Sequence, residues 1–136
     1  MKDLIHIAAS LGLRIHASHL PAGILGMFSS AEGRIYFDLH LTPHERRSVI
    51  AHELGHAYYG HDCDHGESSA QERQADAYAA ALLVDPYDYA ELERISADAH
   101  YIAEELGVTE DVVYAFRAHC LKQYGRRTYS GRVRIS

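Results

Sequence analysis

His52-Glu53-Leu54-Gly55-His56 carries two imidazoles four residues apart, with a carboxylate beside the first. On an α-helix, residues i and i+4 share a face with Cβ atoms about 5–6 Å apart, so both rings can converge on one metal ion. The intervening Glu53 lies about 100° around the helix, in reach of a water on that ion without replacing it as a ligand. This HExxH spacing points to metal-assisted hydrolysis, with His52 and His56 as ligands and Glu53 as general base. A third ligand is needed. On a helical wheel Glu72, Asp76, Ala79 and Leu83 form one stripe, with Ala75 and Leu82 beside it. Two carboxylates therefore head an otherwise apolar face. A bare carboxylate is costly to bury, and a metal supplied by the neighbouring helix resolves that cost. Glu72 is expected to ligate the ion. Asp76, one turn on, is expected to accept a hydrogen bond from the far nitrogen of His52. Two imidazoles and a carboxylate favour Zn2+, with Mn2+ as the alternative.

Other third ligands fit less well. Gly60 and His61 each sit one residue off the HExxHxxGxxH template. His61, Asp62, Cys63, Asp64 and His65 form a polar cluster beyond the helix, which reads mainly as a solvated loop. From this region His61, His65 and Tyr59 are candidates to line the cleft and steady a developing oxyanion.

Several elements must position these groups. Thr42-Pro43-His44-Glu45 supplies an N-cap, a proline at the first helical position and the glutamate of a capping box, so the HExxH helix should run from Thr42 to about Gly60. Its other face, Ile50, Leu54, Ala57 and Tyr58, should seat in the core. Ser69 is the expected cap of the Glu72 helix, which runs to Leu83 or Val84. Asp85-Pro86 starts a short helix to about Arg94, Ser96 opens one ended by Gly107, and Thr109 opens a last one to about Tyr124. Before Thr42 the pattern differs. Asp3 caps a short helix closed by Gly12. Leu13, Ile15 and Ala17 alternate with polar residues, and extended runs follow at 24–29 and 34–39 around a turn at Ser30-Ala31-Glu32-Gly33. The expected class is α+β: a small antiparallel N-terminal sheet packed on a helical body, with a C-terminal helical hairpin. One domain spans 1–136, with the sheet and metal-site helices at about 1–94, the hairpin at about 96–124 and a basic tail at 125–136.

Composition bounds the setting. The 136 residues are 47% hydrophobic and 24% charged, as in a globular domain with a real core. No apolar run approaches the roughly 18–20 residues of a membrane span. The N-terminus is broken by Asp3, His6 and Arg14 and lacks the clean apolar stretch of a signal peptide. Two cysteines make no disulfide scaffold, so the cytoplasm is the expected compartment. Residues 1–121 hold eight Lys/Arg against nineteen Asp/Glu, whereas 122–136 hold five basic residues and no acid. An acidic body argues against a broad nucleic-acid footprint. Tyr101 to Val113 has the pattern of a helix-turn-helix, which raises a competing class: a DNA-binding regulator with a structural metal. Glu110-Asp111 at the start of its second helix would face phosphates with the wrong sign, so this unit reads better as packing on the core or docking a substrate.

The string SVIAHELGHAYYGHD, followed by QERQADAYAAALLVDP, resembles the ImmA/IrrE family of metalloendopeptidases. Members carry HELGH on one helix and a motif close to E-x-E-A-[ND]-x-F-A-x-x-L-L-x-P on a following one. Here Gln74 stands for the second acid, Tyr78 for the Phe, and Asp85 is inserted before Pro86. The upstream LPAGILGMFSSAEGRIYFD resembles the family's sheet, and the likeness spans about residues 20–125. It implies a gluzincin-like zinc site with ligands His52, His56 and Glu72 and general base Glu53. It also implies a protein substrate, a helix-turn-helix repressor whose cleavage relieves repression in a prophage, mobile element or stress response. A non-catalytic antirepressor that binds this partner without cutting it is the alternative.

Overall fold

A computed structural model of the protein describes residues 3–61 and 68–121. Helix α1 (Leu4–Ser10) starts at Asp3, whose carboxylate accepts from the Ile5 amide at 3.0 Å. Three strands follow, β1 (Arg14–Ser18), β2 (Gly26–Ser29) and β3 (Arg34–Asp38). β2 and β3 form the expected antiparallel hairpin, with Phe28 opposite Ile35. The sheet as a whole is mixed rather than antiparallel: the order is β1-β3-β2, and β1 runs parallel to β3 with Ile15 beside Ile35. The cause is the connection at 19–25. It is longer than a tight hairpin loop and carries the chain past the sheet to its far edge. The hairpin then brings β3 back between the other two strands.

The helical body follows the local signals closely. Helix α2 (Pro43–Tyr58) begins with both arms of its capping box, Glu45 N–H to Thr42 Oγ1 at 3.3 Å and Thr42 N–H to Glu45 Oε1 at 2.9 Å. Helix α3 (Ser69–Leu83) is capped by Ser68 rather than Ser69, because Ser68 finds its own capping-box partner in Gln71. Asp85 caps α4 (Pro86–Ile95). Helix α5 (Ala99–Leu106) is capped by Asp98, while Ser96 stays outside as a turn residue accepting from the Asp98 amide. Gly107 closes α5 in the left-handed region. Helix α6 (Glu110–Phe116) runs into a π-helical turn over Arg117–Leu121. The expected end of this helix at Tyr124, and the basic tail, lie outside the described residues.

Two apolar clusters hold these elements. Phe28, Ile35, Ile50 and Leu54 join the sheet to α2, with Ala8 of α1. Ile102, Val113 and Phe116, with Tyr89 and Val84, form the core of the C-terminal helices. Ile102 and Phe116 are fully buried, and each such side chain contributes about 1.5–3 kcal/mol. Helix α3 packs between α2 and α6. Tyr58 leaves the expected core stripe: it is exposed at the end of α2, tilted against the Tyr78 ring of α3. No helix among the described residues is long and apolar enough to cross a membrane.

Candidate metal centre

α2 and α3 approach closely because both present small residues at the contact. A Cβ on Gly55 would meet the Cα and carbonyl oxygen of Ala75. Gly55 lies between His52 and His56, and Ala75 between Glu72 and Asp76, so this contact sets the donors of one helix opposite those of the other.

The donors converge. His52 Nε2 is 3.0 Å from Glu72 Oε1 and 3.1 Å from His56 Nε2, and His56 Nε2 is 3.1 Å from Glu72 Oε2. These three residues form a group able to hold a metal ion. Tetrahedral zinc with bonds of about 2.0–2.1 Å spaces its ligand atoms about 3.3–3.4 Å apart. Here the two imidazole nitrogens are 3.1 Å apart and each meets a different oxygen of the Glu72 carboxylate, with one ligand atom from each residue within 4.8 Å of the others, so the group is of the size that such an ion needs.

Charge fits as well. His52 Nδ1 is 2.8 Å from Asp76 Oδ1. An ionised carboxylate only accepts, and His52 meets one at each ring nitrogen, Asp76 at Nδ1 and Glu72 at Nε2; with a cation among the donors, the ring proton belongs on Nδ1 toward Asp76 and the Nε2 lone pair faces the ion. Burial lowers the pKa of His52, but the Asp76 hydrogen bond and the carboxylates of Glu53, Asp76 and Glu72 outweigh it and hold the ring above its usual value. This cluster favours a cation, whether a proton on His52 or a metal ion among the donors.

Among the described residues the group opens toward one cleft. His56 is 1% exposed and Glu53 9%. Glu72 and Asp76 are half-exposed and face a cleft of about 620 Å³ that His52 and Glu53 also line. The segment Gly23–Gly26 bounds this cleft, with Val49 of α2 and Val112 of α6. Gly26 lets the strand come close to the helix. A Cβ there would collide with Cγ1 of Val49 and stand 3.4 Å from Cγ of Glu53. The α5–α6 unit is fastened to α2: Arg47 donates to the Leu106 and Gly107 carbonyls at 3.2 and 2.6 Å, and the Thr109 amide donates to Ser48 Oγ at 3.1 Å. The helix-turn-helix-like segment thereby builds a wall of the cleft.

The three residues expected to steady an oxyanion fare differently. His61 does not reach the cleft. It is buried behind His56, with the two Nδ1 atoms 2.8 Å apart. Tyr59 is exposed and stacks on His61. His65 lies outside the described residues. Sequence reasoning singled out Gln74 only as a departure from a motif. Its Oε1 is 2.8 Å from His61 Nε2.

The signal for His61 was present in Gly60. Gly60 adopts φ +69°, its N–H bonds to the Ala57 carbonyl, and the His61 N–H bonds to the His56 carbonyl at 2.9 Å. This is a Schellman ending, which brings the second residue past the cap back against the residue five before it. That contact is usually apolar; here it joins two imidazoles.

No curated protein and no solved structure matches the chain at a significant level. A family model described as the IrrE N-terminal-like domain matches residues 8–116, which include every residue of the metal group and both helices that carry it. The chain belongs to this metallopeptidase family.

Proposed function

We propose that the protein is a zinc-dependent endopeptidase whose substrate is a helix-turn-helix repressor. The observation that carries this reading is the convergence of His52, His56 and Glu72 beside Glu53 at the wall of an open cleft. His52, His56 and Glu72 would hold the metal. Zinc supplies Lewis acidity, polarising the scissile carbonyl and making water acidic near neutral pH. Glu53 takes the proton of the attacking water and passes it to the departing amine nitrogen. Asp76 keeps His52 in the tautomer that binds. The repressor substrate rests on the family resemblance, and cleavage rather than sequestration rests on the intact Glu53.

An extended substrate needs a sheet edge. β3, the strand leading into α2, is the middle strand and has no free edge. β2 supplies it instead. The Asp38 amide bonds to the Leu25 carbonyl, so alternation along the ladder turns the amides and carbonyls of Gly26 and Phe28 outward. Gly26 also lines the cleft.

Metal content of protein purified without a metal-affinity tag tests the first step, and about one zinc per chain is expected. Mass spectrometry of the repressor, incubated with wild type and with Glu53→Gln, tests the second. The variant should keep zinc and lose cleavage. Cleavage by both proteins would remove Glu53 as the base, and cleavage by neither would leave a repressor-binding protein. With a cleaved peptide in hand, N-methylation along its backbone should weaken binding at alternate positions. Uniform tolerance would exclude pairing with β2.

A further inference from the structure

We infer that His61 and Gln74 form a relay that sets the tautomer of His56, making both positioning residues for the metal; this rests on the metal reading above. The chain of contacts runs His56 Nδ1 to His61 Nδ1 at 2.8 Å, then His61 Nε2 to Gln74 Oε1 at 2.8 Å. Only one proton sits between the two Nδ1 atoms of neutral rings, and the group at the far end, Gln74, biases which ring carries it. The Gln74 carbonyl oxygen only accepts. His61 therefore holds its proton on Nε2 and offers the Nδ1 lone pair. His56 donates from Nδ1, and its Nε2 lone pair points at His52 and Glu72.

The opposite polarity would disable the site. Were the Gln74 amide turned with its NH2 toward His61, every donor and acceptor in the chain would reverse. His56 would carry its proton on Nε2, among the ligand atoms, 3.1 Å from Glu72 Oε2. Glu72 favours that arrangement in the absence of metal, since its carboxylate accepts the proton well. Gln74 opposes it from the other end.

Both rings of the relay are buried. His56 is 1% exposed and His61 6%, and the Tyr59 ring lies over His61 at 15° between planes. Gln74 is on the exposed side of α3, where its NH2 can meet water while its oxygen faces inward. Gln74 stands two residues after Glu72, so α3 supplies both a ligand and the group that orients the ligand opposite. His52 is oriented by a carboxylate acting directly, whereas His56 is oriented by an amide acting through a second ring.

The test uses the full chain and two readouts, the zinc dissociation constant by chelator competition and histidine tautomers by 15N NMR. His61→Phe keeps a ring under Tyr59 but removes the acceptor, and zinc should bind about 10–100-fold more weakly. His61→Asn restores a carbonyl in reach of His56 Nδ1 and should recover most of that loss. Gln74→Leu, at an exposed position, should weaken zinc by less than His61→Phe. Gln74→Glu is acceptor-only and should bind zinc at least as tightly as wild type. NMR should show His56 protonated on Nδ1 in wild type. Wild-type affinity in both His61→Phe and Gln74→Leu would overturn the relay. Should wild type take up no zinc, the metal reading fails separately. Tautomers of the metal-free protein then decide: an Nδ1 proton on His56 that is lost in Gln74→Leu upholds the relay, and the same tautomer in both overturns it.

Discussion

A Cβ built on Gly55 would stand 2.8 Å from the Cα of Ala75 and 3.0 Å from its carbonyl oxygen. Backbone stands on the far side of that contact, so no side-chain rotation relieves it. Gly55→Ala should push α3 away from α2 and carry Glu72 and Asp76 with it. Overpacking of this kind costs about 1–3 kcal/mol. The expected result is a lower Tm in metal-free protein and a zinc affinity reduced more than tenfold. A variant that lost stability yet bound zinc as before would show that the ligand atoms do not depend on this helix spacing.

Asp76 Oδ1 lies 2.8 Å from His52 Nδ1, while Glu72 and His56 meet that ring at Nε2. Its removal should therefore leave the ligands present but one of them free to turn. Asp76→Ala should weaken zinc about 10–100-fold, the usual effect of losing a partner behind a metal-binding imidazole. Glu72→Ala should be more severe, because it deletes a ligand. Isothermal titration of metal-free protein with zinc separates the two, and equal losses would mean that Asp76 is itself a ligand.

The grouping of His52, His56 and Glu72 was legible in the sequence because its parts are local. HExxH fixes two donors by helical period, the Thr42–Glu45 box fixes the helix that bears them, and the Glu72–Asp76 spacing repeats the device on the next helix. Strand partners were less legible. Nothing near Arg14–Ser18 states that its neighbour will be β3 rather than β2, because that pairing is decided by the path of residues 19–25 across the sheet. Caps were ambiguous where two competent residues stood close together, and Ser68 and Asp98 prevailed over Ser69 and Ser96. His61 was visible as a histidine near the site, but its side of His56 follows from the turn at Gly60, not from its type.

Asp38 holds the chain on both sides of β3. It accepts from the Leu20 amide at 3.1 Å and from the His40 amide at 3.1 Å. These bonds, that from Leu20 first, hold its pKa below the usual carboxylate value. The folded state thus binds its proton less readily than the unfolded chain, where the pKa is about 3.9. Its stabilising contribution is full above that unfolded value and is lost as pH falls through the lowered folded one. Metal-free protein should lose stability over this acid range, and Asp38→Asn should reduce the slope there. Urea titrations stepped from pH 6 to pH 3 measure it. An unchanged slope in the variant would assign the acid loss to other carboxylates.

Gly60 does not line the cleft, and a Cβ there would find nothing within 4 Å among the described residues. Its backbone is held at φ +69°, and that is where a substitution acts. A left-handed conformation costs a residue with a Cβ about 1–2 kcal/mol, and asparagine tolerates it better than most. Gly60→Val should therefore strain the Schellman ending and displace His61 from His56, whereas Gly60→Asn should keep both in place. The expected order of zinc affinity is wild type, then Gly60→Asn, then Gly60→Val, with the last at least severalfold weaker. The same order should appear in the fraction of His56 protonated on Nδ1. If Gly60→Val lowered Tm while zinc affinity and the His56 tautomer stayed as in wild type, the turn would serve stability alone. His61 would then owe its place to the stacking of Tyr59 rather than to the glycine that precedes it.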